Sequence, residues 1–327
     1  MAVPFDTTRI FSVQDAGFEA LALDIFRYQY AHVPIYRAYA DALKTNVAAV
    51  QALHQVPFLP IRFFKSHEVI AEGMQPELWF ESSGTTGMDI SRHQVASVAV
   101  YNESFLKGFE LFYGHPDDYC IMGLLPNYLE RQHSSLVHMV NELMKLSGHR
   151  DNDYYLYDHE RLAKTLVKLD EAGQKVMLFG VTFALLDFAD AYKLDLKNVI
   201  IMETGGMKGR KKELTRTEVH DWLRERLGPE HIHSEYGMTE LLSQAYAKSS
   251  GIFETPPWMK VMVSEYNDPL SNDYTGRGTL NVIDLANVYS CSFIATEDVG
   301  EVKPGGRFTV QGRIDHSALR GCNFLLA

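Results

Sequence analysis

Apolar positions near the start of the chain recur at helical spacing. Leu23 and Phe26 belong to a repeat that predicts helix over residues 14–55, with a break at Pro34 because proline lacks the N–H that a helix interior needs. Residues 56–65 follow as a turn-rich stretch, and its two prolines disfavour a helix there. The first part of the chain is therefore expected to be helical and to end in a turn.

From residue 78 onward, short apolar runs alternate with amphipathic stretches. The runs predict strands at 78–81, 119–125, 175–181, 199–203, 278–284 and 289–296. The amphipathic stretches predict helices at 93–112, 132–147, 159–172, 182–192 and 211–227. This alternation favours an α/β fold with a mostly parallel sheet flanked by helices. After about residue 250 the strands follow one another without helices, which indicates a smaller antiparallel subdomain.

These changes of pattern divide the chain into three regions. We expect an N-terminal helical region at 1–55, an α/β core at 56–250 and a β-rich subdomain at 251–327. A chain of 327 residues is long enough to bury a large core in such an arrangement.

Composition and charge narrow the class of protein. Hydrophobic residues make up 46% of the chain and charged residues 22%, which is typical of a globular protein. The net charge of −11 argues against nucleic acid and anionic membranes as partners, and no Lys/Arg run has the look of a phosphodiester-binding footprint. We expect no membrane span and no signal peptide. Cys120, Cys291 and Cys322 have neither disulfide nor metal spacing, so we expect a cytoplasmic protein with reduced thiols.

A turn rich in serine, threonine and glycine follows the strand predicted at 78–81. It consists of Ser82, Ser83, Gly84, Thr85, Thr86 and Gly87. Glycines let the backbone approach an anion, and successive N–H groups and hydroxyls can surround phosphate. A helix is expected to begin after it, near Ser91. Taken alone, the turn is better interpreted as an ordinary polar loop, because the Gly-Lys-Ser/Thr of a Walker motif does not follow.

Residues 234–240 carry a second group of candidate residues. Tyr236 offers a ring that can stack on a purine, and Gly237 follows it. Thr239 offers a hydroxyl for a phosphate oxygen, and Glu240 offers a carboxylate that can hold Mg2+. The alternative interpretation is a turn before a helix N-terminus, where capping alone favours Thr-Glu.

Two further segments come after predicted strands. Gly205 and Gly206 follow the strand at 199–203, at the edge where open parallel sheets bind ligands, and they would let a flat base lie against the backbone. Asp298 can accept ribose hydroxyls, and Arg313 can neutralise phosphate. Taken singly, the glycine pair is as well explained by a strand-ending turn, and the two charges are better explained as solvated turn residues.

In this order, the four elements resemble the adenylate-forming superfamily of acyl-CoA synthetases and ligases. Residues 82–87 are similar to its phosphate loop, 205–206 to its adenine-side turn and 236–240 to its aromatic-Gly-x-Thr-Glu signature. Asp298 matches its ribose-binding aspartate, and 312–315, which include an arginine, match its hinge. The resemblance implies the large N-terminal domain of that fold, with mostly parallel sheets flanked by helices and a β-rich subdomain.

More narrowly, the chain resembles the LuxE-type acyl-protein synthetases, which supply acyl groups to the fatty acid reductase of luminous bacteria. The segment 57–67, the total length and the Arg-Gly-Cys that ends at Cys322 carry this resemblance. It implies that ATP and Mg2+ convert a carboxylic acid, most simply a fatty acid, into acyl-AMP, with Thr239 and Glu240 acting in this step. Cys322 then takes the acyl group as a thioester and passes it to a partner such as a reductase or a carrier protein.

Two departures from the superfamily leave alternatives open. The phosphate loop usually continues with Lys-Pro-Lys, but here residues 88–92 read Met-Asp-Ile-Ser-Arg, and Arg92 is the substitute we consider. Larger members also continue into a lid domain that carries a catalytic lysine, and we expect that domain to be absent. A ligase that delivers acyl groups directly to CoA or a carrier protein is one alternative. A nucleotide- or acyl-binding partner without catalysis is the other.

Overall fold

The computed structural model describes residues 4–82, 90–126, 132–205, 214–266 and 268–314. Several predicted functional residues lie outside these ranges, namely Ser83, Gly84, Thr85, Thr86, Gly87, Gly206 and Cys322. The remaining predicted residues are described below with their side chains.

Helices dominate the first part of the chain. The elements are α1 (Thr8–Phe11), α2 (Asp15–His32), α3 (Pro34–Ala42), β1 (Leu59–Pro60) and α4 (Phe63–Ser66). The break at Pro34 is confirmed, but helix does not extend to residue 55, because only two 3-10 turns follow α3, at Val47–Ala49 and Leu53–Gln55. The expectation that 56–65 contains no helix was wrong for α4, which begins beyond both prolines.

A β-hairpin precedes the first long helix of the α/β core. Its elements and that helix are β2 (Leu78–Glu81), β3 (Arg92–Val95) and α5 (Val98–Tyr113). The predicted helix start near Ser91 was wrong, because β3 pairs antiparallel with β2. His93 and Val95 are buried while their neighbours are more exposed, so this segment follows the two-residue period of a strand. The helix begins only after Ser97, whose hydroxyl caps it.

The central sheet is mostly parallel, as predicted. Its strands and helices are β4 (Cys120–Leu124), α6 (Ser135–Ser147), β5 (Asp153–Tyr154), α7 (His159–Glu171), β6 (Val176–Val181), α8 (Thr182–Ala191), β7 (Val199–Thr204), α9 (Arg216–Leu227), β8 (Ile232–Tyr236) and β9 (Ala245–Ala247). The strand order is β5-β4-β6-β7-β8-β9, and only β9 is antiparallel to its neighbour. The predicted strands and helices of this region are confirmed, with small shifts at their ends.

Helices cover both faces of this parallel sheet. Cys120 and Met122 of β4 belong to a core cluster with residues of α7, α8 and α9. Ile121 between them belongs to the other cluster, with residues of α5 and α6. Successive strand residues point to opposite faces, so both faces need apolar side chains. This explains why the strands read as continuous apolar runs.

The last part of the chain forms a second sheet. Its strands are β10 (Met259–Glu265), β11 (Asp268–Asp273), β12 (Gly276–Asp284), β13 (Phe293–Val302) and β14 (Phe308–Arg313). The order is β1-β13-β12-β10-β11, and β14 also pairs with β13. All pairings are antiparallel except that of β1 with β13, which confirms the antiparallel subdomain. The strand predicted at 289–296 begins instead at Phe293, because a 3-10 turn at Leu285–Asn287 and the loop after it precede β13.

The N-terminal helices share a core with this second sheet. Gln29 of α2 is fully buried, and its side-chain amide donates to the carbonyls of Asn287 and Val288 at 2.9 and 3.0 Å. The amide oxygen accepts the N–H of Ser292 at 3.0 Å. Such a satisfied buried amide anchors α2 at one place on the sheet. The division of the chain into three regions stays a prediction.

One buried carboxylate joins the C-terminal sheet to the segment that follows Glu240. Asp284, at the end of β12, accepts the N–H groups of Leu242 and Ser243 at 2.7 and 2.9 Å. It also accepts the Ser243 hydroxyl at 2.5 Å and the N–H of Ala286 at 3.1 Å. Each donor is buried and needs an acceptor. Asp284 therefore holds this segment in place.

We expect Asp284→Ala to lower the free energy of unfolding by roughly 3–5 kcal/mol, because it leaves several buried donors without an acceptor. Asp284→Asn keeps one acceptor oxygen and should cost less. Urea unfolding followed by circular dichroism would measure both variants. Equal stability of the alanine variant and the unmodified protein would contradict the anchoring role.

Candidate active site

Polar residues gather where β7 and β8 end. Thr204 and Glu235 are register partners in these parallel strands, so Gly205 and Tyr236 follow at the same edge. Gly205 has a φ of 77°, in the left-handed region that favours glycine. The carboxyl edge of a parallel sheet is where such folds bind ligands. Gly205 of the predicted glycine turn and the predicted aromatic residue Tyr236 therefore lie next to each other at this edge of the sheet.

Tyr236 connects this edge to the second sheet. Its hydroxyl donates to Oδ2 of Asp298 at 2.9 Å, and Nε of Arg313 donates to Oδ1 of the same carboxylate at 2.9 Å. Asp298 lies within β13, and Arg313 is its register partner in β14. Burial, and then the neighbouring negative charge of Asp298, hold the pKa of Tyr236 well above its usual value. Three predicted residues are therefore in direct contact, with Tyr236 as a donor.

Glu240, four residues after Tyr236, is buried, with 5% of its surface exposed. Burial raises the pKa of its carboxyl, while a hydrogen bond with the Ser91 side chain and the positive charges of Arg313 and Lys65 oppose the rise. Its main-chain carbonyl accepts the side-chain amide of Asn287 at 2.8 Å. Glu240 is thus held beside the end of the loop that follows β2.

His93 contacts this segment, and sequence reasoning missed it. Its Nδ1 lies 2.9 Å from the carbonyl of Thr239, so Nδ1 carries the proton. The ring is fully buried, and its Nε2 has no hydrogen-bond partner among the described residues. Burial lowers the pKa of His93 to about 4, so the ring is neutral. A single histidine in a strand carries no sequence signal that would have identified it.

A polar cluster lies on the α8/α9 face of the sheet. The Ser234 hydroxyl is 3.2 Å from a Glu203 oxygen and 3.3 Å from Nε2 of His220, and the Thr182 hydroxyl contacts Glu203 as well. Serine, histidine and glutamate invite comparison with a catalytic triad. Here the Ser234 hydroxyl and the Glu203 carboxylate both approach Nε2 of His220, and the carboxylate oxygen lies 3.9 Å from it. In a triad the carboxylate binds the other ring nitrogen, so this cluster lacks the geometry of a catalytic triad.

Glu235 points to the opposite face, toward α5. It is the cross-strand partner of Tyr246, whose buried hydroxyl has no partner among the described residues. Burial, and then the negative charge of Glu203, raise the pKa of Glu235 to about 8. Gly237 makes room for this carboxyl, because a Cβ at that position would lie 2.2 Å from Oε1 of Glu235. This face of the sheet therefore carries an ionisable group among its apolar side chains.

The ends of the predicted phosphate loop are paired. Ser82 donates its N–H to the carbonyl of Ser91 at 3.1 Å, and its hydroxyl accepts the N–H of Ser91 at 3.0 Å. Arg92, our substitute for the missing loop lysines, donates to Glu81 at 2.9 and 3.2 Å instead. Its charge is therefore already paired with a carboxylate on the hairpin.

Two of the cysteines are unsuited to nucleophilic chemistry. Cys120 and Cys291 are both fully buried, and burial raises the pKa of each thiol to about 12. Both residues therefore belong to the core. Within the part of the chain that the structure describes, no group of three or more His, Cys, Asp or Glu residues has the arrangement of a metal site. None of the described helices is long and apolar enough to cross a membrane.

The fold and site define a class of protein. The fold is similar to that of 2-hydroxyisobutyryl-CoA ligase, with a TM-score of 0.63 and 13% sequence identity. The match covers 96% of this chain and 72% of the ligase chain. O-Succinylbenzoate coenzyme A synthetase from Bacillus subtilis, solved with ATP and magnesium ion, gives a TM-score of 0.51 at 14% identity over 73% of this chain. This chain spans about half of that synthetase, with 51% covered. The fold is that of the adenylate-forming enzymes.

Residues 4–327 match the LuxE acyl-protein synthetase family, and the chain belongs to that family. A curated relative, the long-chain-fatty-acid–luciferin-component ligase of Aliivibrio fischeri, is 22% identical over 343 residues. The match covers 94% of this chain and 87% of the relative. The chain is therefore an acyl-protein synthetase by family, as the sequence motifs indicated. The roles of individual residues stay predictions.

The raised pKa of Glu235 predicts a pH-dependent cost to stability. The folded protein keeps this carboxyl protonated up to a pH of about 8, whereas the unfolded chain ionises it near its ordinary value of 4.5. Stability is therefore lost as the pH rises between these values. We expect Glu235→Gln to match the unmodified protein near pH 4.5 and to exceed it by about 2–4 kcal/mol at pH 8.

Chemical unfolding at several pH values would measure this difference. Glu230→Gln is the matched control, because that side chain is 90% exposed. The control should show no gain that grows with pH. A stability difference for Glu235→Gln that does not change between pH 5 and pH 8 would contradict the assignment.

Proposed function

We propose that the chain uses ATP to convert a carboxylic acid into acyl-AMP and then transfers the acyl group to Cys322 as a thioester. The observation that supports this most is the meeting of Tyr236, Asp298, Arg313 and Glu240 at the carboxyl edge of the parallel sheet. Membership of the acyl-protein synthetase family supports it independently. A partner would finally receive the acyl group.

The nucleotide would lie between the glycine turn at Gly205 and the contact of Asp298 with Arg313. Each oxygen of Asp298 accepts one hydrogen bond from the protein, and a carboxylate has about four acceptor sites, so ribose hydroxyls can still bind. Arg313 uses only Nε for Asp298, and 65% of its side chain is exposed. Its terminal nitrogens can therefore meet a phosphate.

Glu240 would hold Mg2+ in this arrangement. Mg2+ is usually bound by one or two protein carboxylates together with substrate phosphates and water, so a single buried glutamate fits this role. A cation beside Glu240 would also favour its ionised form against the effect of burial. The ion would neutralise negative charge on the phosphates of ATP.

The chemistry then requires two displacements. In the first, a carboxylate oxygen of the acid attacks the α-phosphorus, and the bond to pyrophosphate breaks. In the second, the thiolate of Cys322 attacks the acyl carbon, a thioester forms and AMP leaves. The buried thiols of Cys120 and Cys291 have pKa values raised to about 12, so neither competes effectively for the acyl group.

The acid is proposed to be a fatty acid, and the acceptor a reductase or carrier protein. The name of the Aliivibrio fischeri relative refers to a long-chain fatty acid and a luciferin component. Aromatic side chains of α5 and β9 pack together beside β8, where Tyr113 contacts both Tyr246 and His233. An alkyl chain bound there would gain about 0.8 kcal/mol for each buried methylene.

We expect Glu240→Gln to abolish ATP–pyrophosphate exchange that depends on added fatty acid, because the neutral amide is a poor Mg2+ ligand. Thr239→Ala should reduce exchange strongly through the lost hydroxyl. Isotope exchange with a series of fatty acids would measure this, with thermal unfolding as the test of folding. A folded Glu240→Gln variant with the exchange rate of the unmodified protein would exclude the proposed site.

We expect Cys322→Ser to stop formation of an acyl-enzyme that hydroxylamine cleaves, because a hydroxyl is a far weaker nucleophile than a thiolate at neutral pH. Acyl-AMP formation should persist, since the activation residues are elsewhere. Intact mass spectrometry after incubation with ATP, Mg2+ and a fatty acid would detect the adduct. Cys120→Ser is the control and should keep it.

Two outcomes would redirect the proposal. A labile acyl adduct on Cys322→Ser would exclude the carrier role and favour direct transfer to CoA or a carrier protein. Absence of any acid-dependent exchange in the unmodified protein would favour a binding partner without catalysis.

A further inference from the structure

The short helix α4 is fixed between the two halves of the site. On one side, β1 pairs with β13, and the N–H of Ile61 donates to the carbonyl of Ala295 at 2.9 Å, three residues before Asp298. On the other side, the ring of Phe64 meets the ring of His93 edge-on at 5.5 Å. His93 in turn binds the carbonyl of Thr239. The position of α4 is therefore set by the same strands that carry the site residues.

Three of the described cations around the site are paired with carboxylates. Arg313 binds Asp298, and Arg92 binds Glu81. Arg62, just before α4, lies 3.6 Å from Glu297. The loop sequence 83–89 contains neither lysine nor arginine. ATP with one Mg2+ keeps a net negative charge, which a further cation near the metal-bound end of the nucleotide would offset.

Lys65, in the last turn of α4, is exposed and forms no ion pair within the described residues. The neighbouring residue Phe64 contacts the ring of His93, which binds the carbonyl of Thr239, so Lys65 lies near the Thr239–Glu240 turn. In agreement with this position, the positive charge of Lys65 opposes the rise in the pKa of Glu240. A lysine carries a compact charge on a flexible stem, which suits a phosphate that arrives with the substrate. Lys65 therefore lies near the Thr239–Glu240 turn, and its charge is not paired with a carboxylate among the described residues.

We propose that Lys65 binds the β- and γ-phosphates of ATP and supplies the positive charge that the loop at 82–87 lacks. This inference rests on the proposed function and names a further substrate-binding residue for it. The placement of Lys65 beside Glu240 directs it toward the metal-bound end of the nucleotide. Asp298 marks the ribose end instead. AMP, which lacks the two outer phosphates, should not need Lys65.

Calorimetric titration of the full chain in the presence of Mg2+ would test this. The ligands are the α,β-methylene analogue of ATP, which cannot be cleaved at the reacting bond, and AMP. We expect Lys65→Gln to raise the Kd for the analogue about tenfold, the effect of losing one charge-assisted hydrogen bond, and to change the Kd for AMP by less than about twofold. Lys65→Arg should restore most of the affinity for the analogue. Lys164→Gln is the matched control, since Lys164 is an exposed lysine paired with Glu160 on α7.

Unchanged affinity of Lys65→Gln for the analogue would overturn the inference. An equal loss for the analogue and for AMP would also overturn it, because it would mean that Lys65 only supports the structure around Glu240. Thermal unfolding confirms that the compared variants are folded, and Lys65→Arg provides a second test if Lys65→Gln is not. If the unmodified protein binds neither ligand, the proposed function fails, and that result is distinct from a failure of Lys65 alone.

Discussion

The buried carboxylate of Asp284 is the contact on which the arrangement of the site depends. It accepts main-chain N–H groups of Leu242 and Ser243, which follow Glu240 directly, while its own backbone belongs to the end of β12. Burying a charged group costs free energy unless donors compensate it, and here donors from both segments do so. The parallel sheet and the antiparallel sheet are thereby joined at the place where the candidate site residues meet.

Several carboxyl groups lie at this junction, and some of them accept hydrogen bonds from nearby side chains. Asp298 is bound by Tyr236 and Arg313, whereas Glu203 is bound by hydroxyls on the other face of the sheet. The pKa of Glu235 is raised by burial and by the negative charge of Glu203, and that of Glu240 is raised because burial outweighs its contacts. A nearby cation would favour the ionised form of such carboxylates, which agrees with the proposed binding of a magnesium nucleotide and with the proposed role of Lys65.

The strands β2, β4, β6 and β7 of the α/β core were predicted because their signals are local, whereas β5, β8 and β9 were not predicted. Strands such as β4 and β6 are buried on both faces, so they read as continuous apolar runs. The strand β3 was mistaken for the start of a helix, because four residues of alternating burial are too short to stand out before the long helix α5. Strands β10, β11 and β14 were not predicted. In β11 (DPLSND) and β14 (FTVQGR) few apolar side chains mark the strand.

The sequence by itself determined the family, the order of the motifs and the residue types they contain. Tyr236, Glu240, Asp298 and Arg313 were identified without coordinates, because their chemistry and order are those of a recognisable set of motifs. Only the tertiary structure decided that Tyr236 donates to Asp298, that Arg92 is bound by Glu81, and that His93 and Lys65 lie beside the Thr239–Glu240 turn. These contacts join residues that are distant along the chain, or they depend on which face of a strand a side chain occupies. Neither spacing nor composition records such information, since it arises from how the two sheets pack against each other.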